Sequence, residues 1–122
     1  MIEIALDSDA VMTGHFVSAH VRWRVDQERP ARRIIVSAQW DAEAFNGKVR
    51  GVGRSMQHVP RGNERQGAFP VRLLIPHEGP TSFQGEVITI AWNLWAHLDH
   101  PSHNEFAHAL FRVTPRHHAA TV

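Results

Sequence analysis

Four histidines between positions 97 and 108 carry the clearest potential for chemistry in this 122-residue chain: His97, His100, His103 and His108. Imidazole nitrogens suit Zn, Ni or Cu, and Asp99 among them adds an oxygen donor. The spacing His97-x-x-His100-x-x-His103 is not a helical ligand set, because Pro101 interrupts it. A metal site here would depend on loop geometry, and solvated loop histidines are the competing reading. The chain holds 10 His, including His117-His118 near its end, and no Cys. Disulfides, thiolate metal sites and a cysteine nucleophile are therefore excluded. Gly51-Val52-Gly53-Arg54-Ser55 lacks the Gly-Lys-Ser/Thr and the following helix that a phosphate loop needs. No Gly-x-Ser-x-Gly elbow occurs. Asp7 with Asp9, and Asp41 with Glu43, read as solvated carboxylates at strand ends rather than an acid/base pair. No catalytic residues and no cofactor are expected, and the chain reads as a non-enzyme.

The formal net charge is +1, but it is unevenly spread. Residues 22–72 hold 11 of the 13 basic side chains and 5 of the 12 acids, so the middle is +6. Lys48, Arg50, Arg54, Arg61 and Arg65 are assigned to one hairpin with only Glu64 against them. Such a flap could grip phosphates. The aromatics that stack on single-stranded bases are missing from it, so an acidic protein patch is the simpler partner and nucleic acid is disfavoured.

The elements that must position these groups follow from a period of two. Val17, Ala19, Val21, Trp23 and Val25 alternate with Phe16, Ser18, His20, Arg22 and Arg24. Ile34, Val36, Ala38 and Trp40 repeat the pattern, as do Phe69, Val71, Leu73 and Ile75. The longest run is Ile88, Ile90, Trp92, Leu94, Ala96 and Leu98, and the last is Ala107, Ala109, Phe111 and Val113. Ile2, Ile4 and Leu6 suggest a short opening strand, and residues 48–59 one or two irregular strands. Breakers fall between these runs at 27–30, 45–47, 60–63 and 99–101. No stretch holds a 3.6 period. About seven to eight strands, each with one buried face, require two packed sheets, which predicts an all-β, two-sheet, immunoglobulin-like sandwich. With hydrophobic residues at 43% and charged residues at 20%, the composition is that of a globular domain and excludes a disordered chain. No run is long enough to span a membrane, and the first residues do not resemble a secretory signal, so a cytoplasmic domain is expected.

The last two long strands can be paired residue by residue. Setting Leu94 opposite Ala109, Trp92 opposite Phe111 and Ile90 opposite Val113 puts every apolar pair on one face. The other face then holds Trp95 beside His108, His97 beside Phe106, and Asn93 beside Leu110. His97 and His108 become diagonal neighbours. Trp95, Phe106 and Leu110 together form an apolar patch that something covers, either a segment of the chain or another molecule.

One stretch is more specific than a generic sandwich. It runs Phe69-Pro70-Val71-Arg72-Leu73-Leu74-Ile75-Pro76, then Gly79-Pro80-Thr81-Ser82-Phe83-Gln84-Gly85, then the strand from Ile88 to Asp99 with Trp92 near its middle. This resembles the N-terminal domain of the arrestin-like superfamily, with its Pro-closed strand, Pro-x-Ser-Phe-x-Gly turn and long following strand. A weaker match lies in Gly14, Val17 and Val21, with Ala19 departing from the pattern. Pro70 and Pro76 limit ladder bonding and keep this strand at an edge or end, and Ser82 can bond neighbouring backbone. The resemblance implies an arrestin-like sandwich, as in the sporulation-control and Vps26 proteins, acting as a non-catalytic adaptor or scaffold. The second arrestin domain has no counterpart in the chain. Asp7-Ser8-Asp9 stands where phosphate-sensing arrestins are basic, so phosphoreceptor binding is not carried over.

The sequence therefore predicts a single arrestin-like domain over residues 1–115 and a flexible tail over 116–122. Its function is that of a protein-interaction module, self-associating into a homo-oligomer. The expected contact surface is Trp95, Phe106 and Leu110 with Lys48, Arg50, Arg54, Arg61 and Arg65. The alternative is a metal-binding protein using His97, His100, His103 and His108.

Overall fold

In the computed structural model, residues 1–26, 28–44, 47–78, 80–84 and 88–115 are described. They form β1 (Ile2–Leu6), β2 (Ala10–Met12), β3 (Phe16–Arg24), β4 (Arg33–Ala44), β5 (Gly47–His58), β6 (Gln66–Leu74), β7 (Phe83–Gln84), β8 (Ile88–Asp99) and β9 (Asn104–Thr114). The smaller sheet has the order β1-β3-β6, and the larger runs β2-β9-β8-β4-β5 with β7 added beside β8. The two-sheet all-β architecture expected from the alternation is what forms.

The alternation decides which residues become core. Along β3, Val17, Ala19, Val21 and Trp23 are buried while the residues between them are not; β4 adds Ile34, Val36 and Ala38, with Ser37 between the last two also buried. Trp92, Leu94, Ala96 and Leu98 from β8 and Phe111 and Val113 from β9 complete the inner face of the larger sheet. Each of the larger of these side chains, such as Val, Ile, Leu or Phe, contributes about 1.5–3 kcal/mol when removed from water. One side of the sandwich is closed by aromatic packing, His58 of β5 stacking on Phe69 of β6 at 4.4 Å.

Pro70 lies in β6, which pairs only with β3 and so forms an edge, as its missing N–H requires. Residues 48–59, expected as one or two irregular strands, instead contribute to the single strand β5, which hydrogen-bonds along β4. The irregularity is a register shift opposite Ser37–Gln39. Two short strands were not expected. β2 runs parallel to the end of β9, Val11 opposite Val113. β7 pairs Phe83 with Ile90 and fills the place β9 leaves as it turns away from β8. At the turn after β2, Gly14 takes φ +81°, and an added Cβ there would run into the His77 ring. The tail 116–122, with His117 and His118, and Gly85 of the turn motif lie outside the described residues.

The Pro80–Phe83 turn has two concrete jobs. The Pro80 carbonyl accepts the indole N–H of the fully buried Trp92 at 2.7 Å. The Ser82 hydroxyl accepts the Val113 amide at 2.8 Å, and the Ser82 amide donates back to the Val113 carbonyl at 2.7 Å. Ser82 therefore stitches β7 to β9 where those strands share no ladder. Ser82→Ala leaves the Val113 amide without an acceptor and should cost about 1–2 kcal/mol, read as a lower urea midpoint at unchanged slope.

Candidate functional site

The outward face of the larger sheet gathers most of the residues singled out by type. Across β8 and β9, Trp95 lies opposite His108, His97 opposite Phe106 and Asn93 opposite Leu110, the register expected from the sequence. The Trp95 and His108 rings are 4.8 Å apart, and His97 stacks on Phe106 at 4.5 Å. Phe106 and Leu110 are 62% and 64% exposed, so no described segment of the chain folds over them. The indole nitrogen of Trp95 is buried and has no hydrogen-bond partner among the described residues.

The next two strands extend this face. Ile35, Ser37 and Gln39 of β4 lie opposite His97, Trp95 and Asn93, and β5 adds Val52 opposite Gln39 and Arg50 opposite Asp41. A shallow groove of about 320 Å³ runs between Ile35, Gln39, Arg50, Trp95 and Phe106. A larger, mainly apolar groove of about 580 Å³ lies where β9 parts from β8, between Phe83, Ile90, Leu110 and Phe111. Ile35, Val52 and Phe83 join this face beyond the three apolar residues expected from the sequence. The signal was present for Ile35, which shares the parity of Ser37 and Gln39 on β4 and so the face of Trp95.

The basic residues divide. Lys48 and Arg50 belong to β5, where Arg50 donates to Asp41 at 2.7 Å and Lys48 approaches Glu43 at 3.8 Å. Those contacts also settle the role of the Asp41 and Glu43 carboxylates as ion-pair partners. Arg54 falls at the register shift of β5 and is exposed. Arg61 and Arg65 are not in the β4–β5 hairpin. They lie in the connection to β6, where Arg65 borders a polar cleft with Arg24, Asp26 and Asn63 at the end of the smaller sheet. A single basic flap holding all five side chains does not form, because the hairpin expected around 60–63 is made by β4 and β5 instead.

The four histidines do not converge either. Among the described residues, no group of three or more His, Asp or Glu is arranged to hold a metal ion. Each imidazole has its own partner. His97 Nε2 is 2.9 Å from the Asn104 amide oxygen. His100 is 4% exposed, its Nε2 2.8 Å from the Arg29 carbonyl and its Nδ1 accepting the Ser102 amide at 3.1 Å. His103 Nε2 is 3.0 Å from Glu105 Oε2, and His108 packs on Trp95. The Pro101 turn brings the His100 and His103 rings within 4.5 Å of each other, but their nitrogens are engaged by the Arg29 carbonyl, Ser102 and Glu105.

Glu105 also meets the Met1 ammonium at 2.8 Å. The hydrogen bond from that ammonium, with a further one from His103, holds the carboxyl below its usual value against the opposing effect of burial. A carboxylate pKa lowered by folding adds stability above its unfolded value, and this is lost as pH falls through the folded one. The thermal midpoint of Glu105→Gln should therefore fall less than that of the native chain between pH 6 and pH 3, as pH values on the order of the carboxylate range. The difference should be small because the pair is partly exposed.

No protein-family profile and no curated protein sequence matches the chain. Among solved structures it is similar to Spo0M, a sporulation control protein from Bacillus subtilis, with a TM-score of 0.67 over 95% of its length at 16% identity. The chain spans 49% of that protein, about half its length. At this identity the likeness gives the fold alone, an arrestin-like β-sandwich.

Proposed function

We propose that this arrestin-like sandwich is a non-catalytic protein-interaction module, cytoplasmic and self-associating, that works through the outward face of its larger sheet. The observation that carries this reading is the exposed pair Phe106 and Leu110 beside Trp95 on adjacent strands. Exposed large side chains clustered on adjacent strands are the makings of an interface core. Lys48 and Arg50 border the same sheet and give it a charged rim. The chemistry-bearing residues lend support from the other side, since their side chains are engaged in ion pairs, stacking or turn contacts rather than assembled around a reaction centre. No helix among the described residues is long and apolar enough to cross a membrane. The likeness to a sporulation control protein is compatible with a regulatory adaptor.

The test is capture of partners from lysate of the source organism by the tagged domain, at low and high salt. The native chain and the double variant Trp95→Ala, Leu110→Ala are compared after circular dichroism has verified both folds. A protein partner retained by the first and lost by the second is expected, with a shift of a few degrees at most in thermal midpoint for Leu110→Ala alone. Equal capture by both would overturn the assignment of this face.

A further inference from the structure

Resting on that reading of the larger sheet, we propose that the open edge of β9 is a dimerisation edge. Two copies pair antiparallel through residues 105–111 about a two-fold axis at His108, joining their larger sheets into one. An unpaired strand edge is a template for another strand, and folded proteins blunt theirs with charge, proline, bulges or short length. The other edges here carry those devices. β5 has Lys48, Arg50, Arg54 and a register shift; β6 has Pro70 and Arg72; β1 and β2 are 5 and 3 residues long. β9 has none of these from Phe106 to Phe111, and its one acid, Glu105, is already occupied by the Met1 ammonium.

The direction of the backbone groups can be read from the contacts at the strand's end. The Arg112 amide donates away from β8, to the Asp9 carbonyl, whereas the Val113 amide points to Ser82 on the β8 side. Amides and carbonyls of a strand alternate in direction, so those of Phe106, His108 and Leu110 point outward, where no described strand pairs with them. β2 pairs with Arg112–Thr114 and stops any incoming strand there. The open stretch is thus 105–111, and its midpoint is His108.

A two-fold axis at that midpoint is self-complementary. It sets Phe106 opposite the partner's Leu110 on the outward face and Ala107 opposite the partner's Ala109 beneath. No charge faces a like charge. The same operation on β5 about Val52 would oppose Arg50 to the partner's Arg54, which disfavours that edge. Pairing at β9 would form about six backbone hydrogen bonds. It would also cover Phe106 and Leu110 of both copies, for a total interface on the order of 1,000 Å². An area at the lower end of specific interfaces predicts a concentration-dependent dimer with a Kd of roughly tens of micromolar.

The chain has no cysteine of its own, which makes cross-linking a clean probe. Residues facing each other across a hydrogen-bonded antiparallel pair have Cα atoms about 5.5 Å apart, within the span of a disulfide. His108→Cys should give a disulfide-linked dimer on mild oxidation, and Val52→Cys, exposed on the opposite edge, should not. Sedimentation velocity over about 10–500 μM should show the native chain shifting from monomer to dimer. His108→Pro removes an outward-pointing donor together with the ring that packs on Trp95, and should abolish the shift at a modest change in thermal midpoint. Should that variant misfold, Leu110→Lys at an exposed position serves in its place. A native chain that stays monomeric throughout, with no cross-link from His108→Cys, overturns the proposal. So does preferential cross-linking of Phe106→Cys or Leu110→Cys, which would mean another register. A monomer that still captures a partner through Trp95 and Leu110 would sink this inference and leave the interaction module standing.

Discussion

Replacing Trp92 with alanine is expected to cost about 4 kcal/mol, close to the whole stability of many domains this size. Trp92 is fully buried at the middle of β8, between Trp40 of β4 and Phe111 of β9 in the sheet. Its ring is 6.0 Å from that of Phe111, and it fills the space over Gly53, where an added Cβ would lie 3.6 Å from the indole. Removing it empties the layer between the two sheets at a point where rigid strands cannot collapse inward. It also strands the Pro80 carbonyl, its hydrogen-bond acceptor. Trp92→Phe separates the two effects. It keeps most of the apolar volume and loses the hydrogen bond, so about 1–2 kcal/mol is expected. Urea unfolding followed by far-UV circular dichroism reads both. A loss below about 1 kcal/mol for Trp92→Ala would contradict its place in the core.

Trp92 also illustrates what was legible in the sequence. Its burial, its opposition to Phe111 and the β8–β9 register from Trp92 to Asp99 follow from alternation, because slipping one residue would mix apolar and polar faces. The expected pairing of Ile90 with Val113 does not form: β9 leaves β8 beyond Phe111, so Ile90 pairs with Phe83 of β7 and Val113 with Val11 of β2. The same argument places Trp95, Phe106 and Leu110 on a shared surface. What alternation cannot supply is the partner of a short strand. β2 and β7 have too few residues for a period: β2 exists because the end of β9, distant in sequence, offers it backbone groups, and β7 because β9 leaves the start of β8 unpaired on that side. Arg61 and Arg65 were misplaced for a related reason. The residues Pro60–Asn63 signal a turn, but only the packing of β5 against β4 decides which strands that turn joins.

The histidines were legible as residue types and not as roles. A cluster of imidazoles in a hairpin suggests ligands, yet the partner that decides the role of His100 is the carbonyl of Arg29, 71 residues away in sequence. No spacing rule reports such a contact.

His100→Ala is accordingly expected to destabilise the fold by about 2–3 kcal/mol, without metal entering the matter. A carbonyl only accepts and an amide only donates, so the His100 ring carries its proton on Nε2, toward Arg29, and accepts the Ser102 amide on Nδ1. The ring therefore bridges the β8–β9 turn and the loop leading into β4, beside the backbone bond from Arg32 to Asp99. Alanine leaves a carbonyl and an amide unpaired around a cavity. His100→Asn, which also offers one acceptor and one donor, should recover part of the loss. His97→Ala and His108→Ala should each cost about 0.5 kcal/mol or less, since those rings lie on the outer face. Thermal melts with and without a chelator discriminate the two roles of this cluster. If His100 is a structural bridge, the chelator changes nothing and the single variant carries most of the loss. If the cluster were a metal site, the chelator would lower the native midpoint and leave the four variants alike.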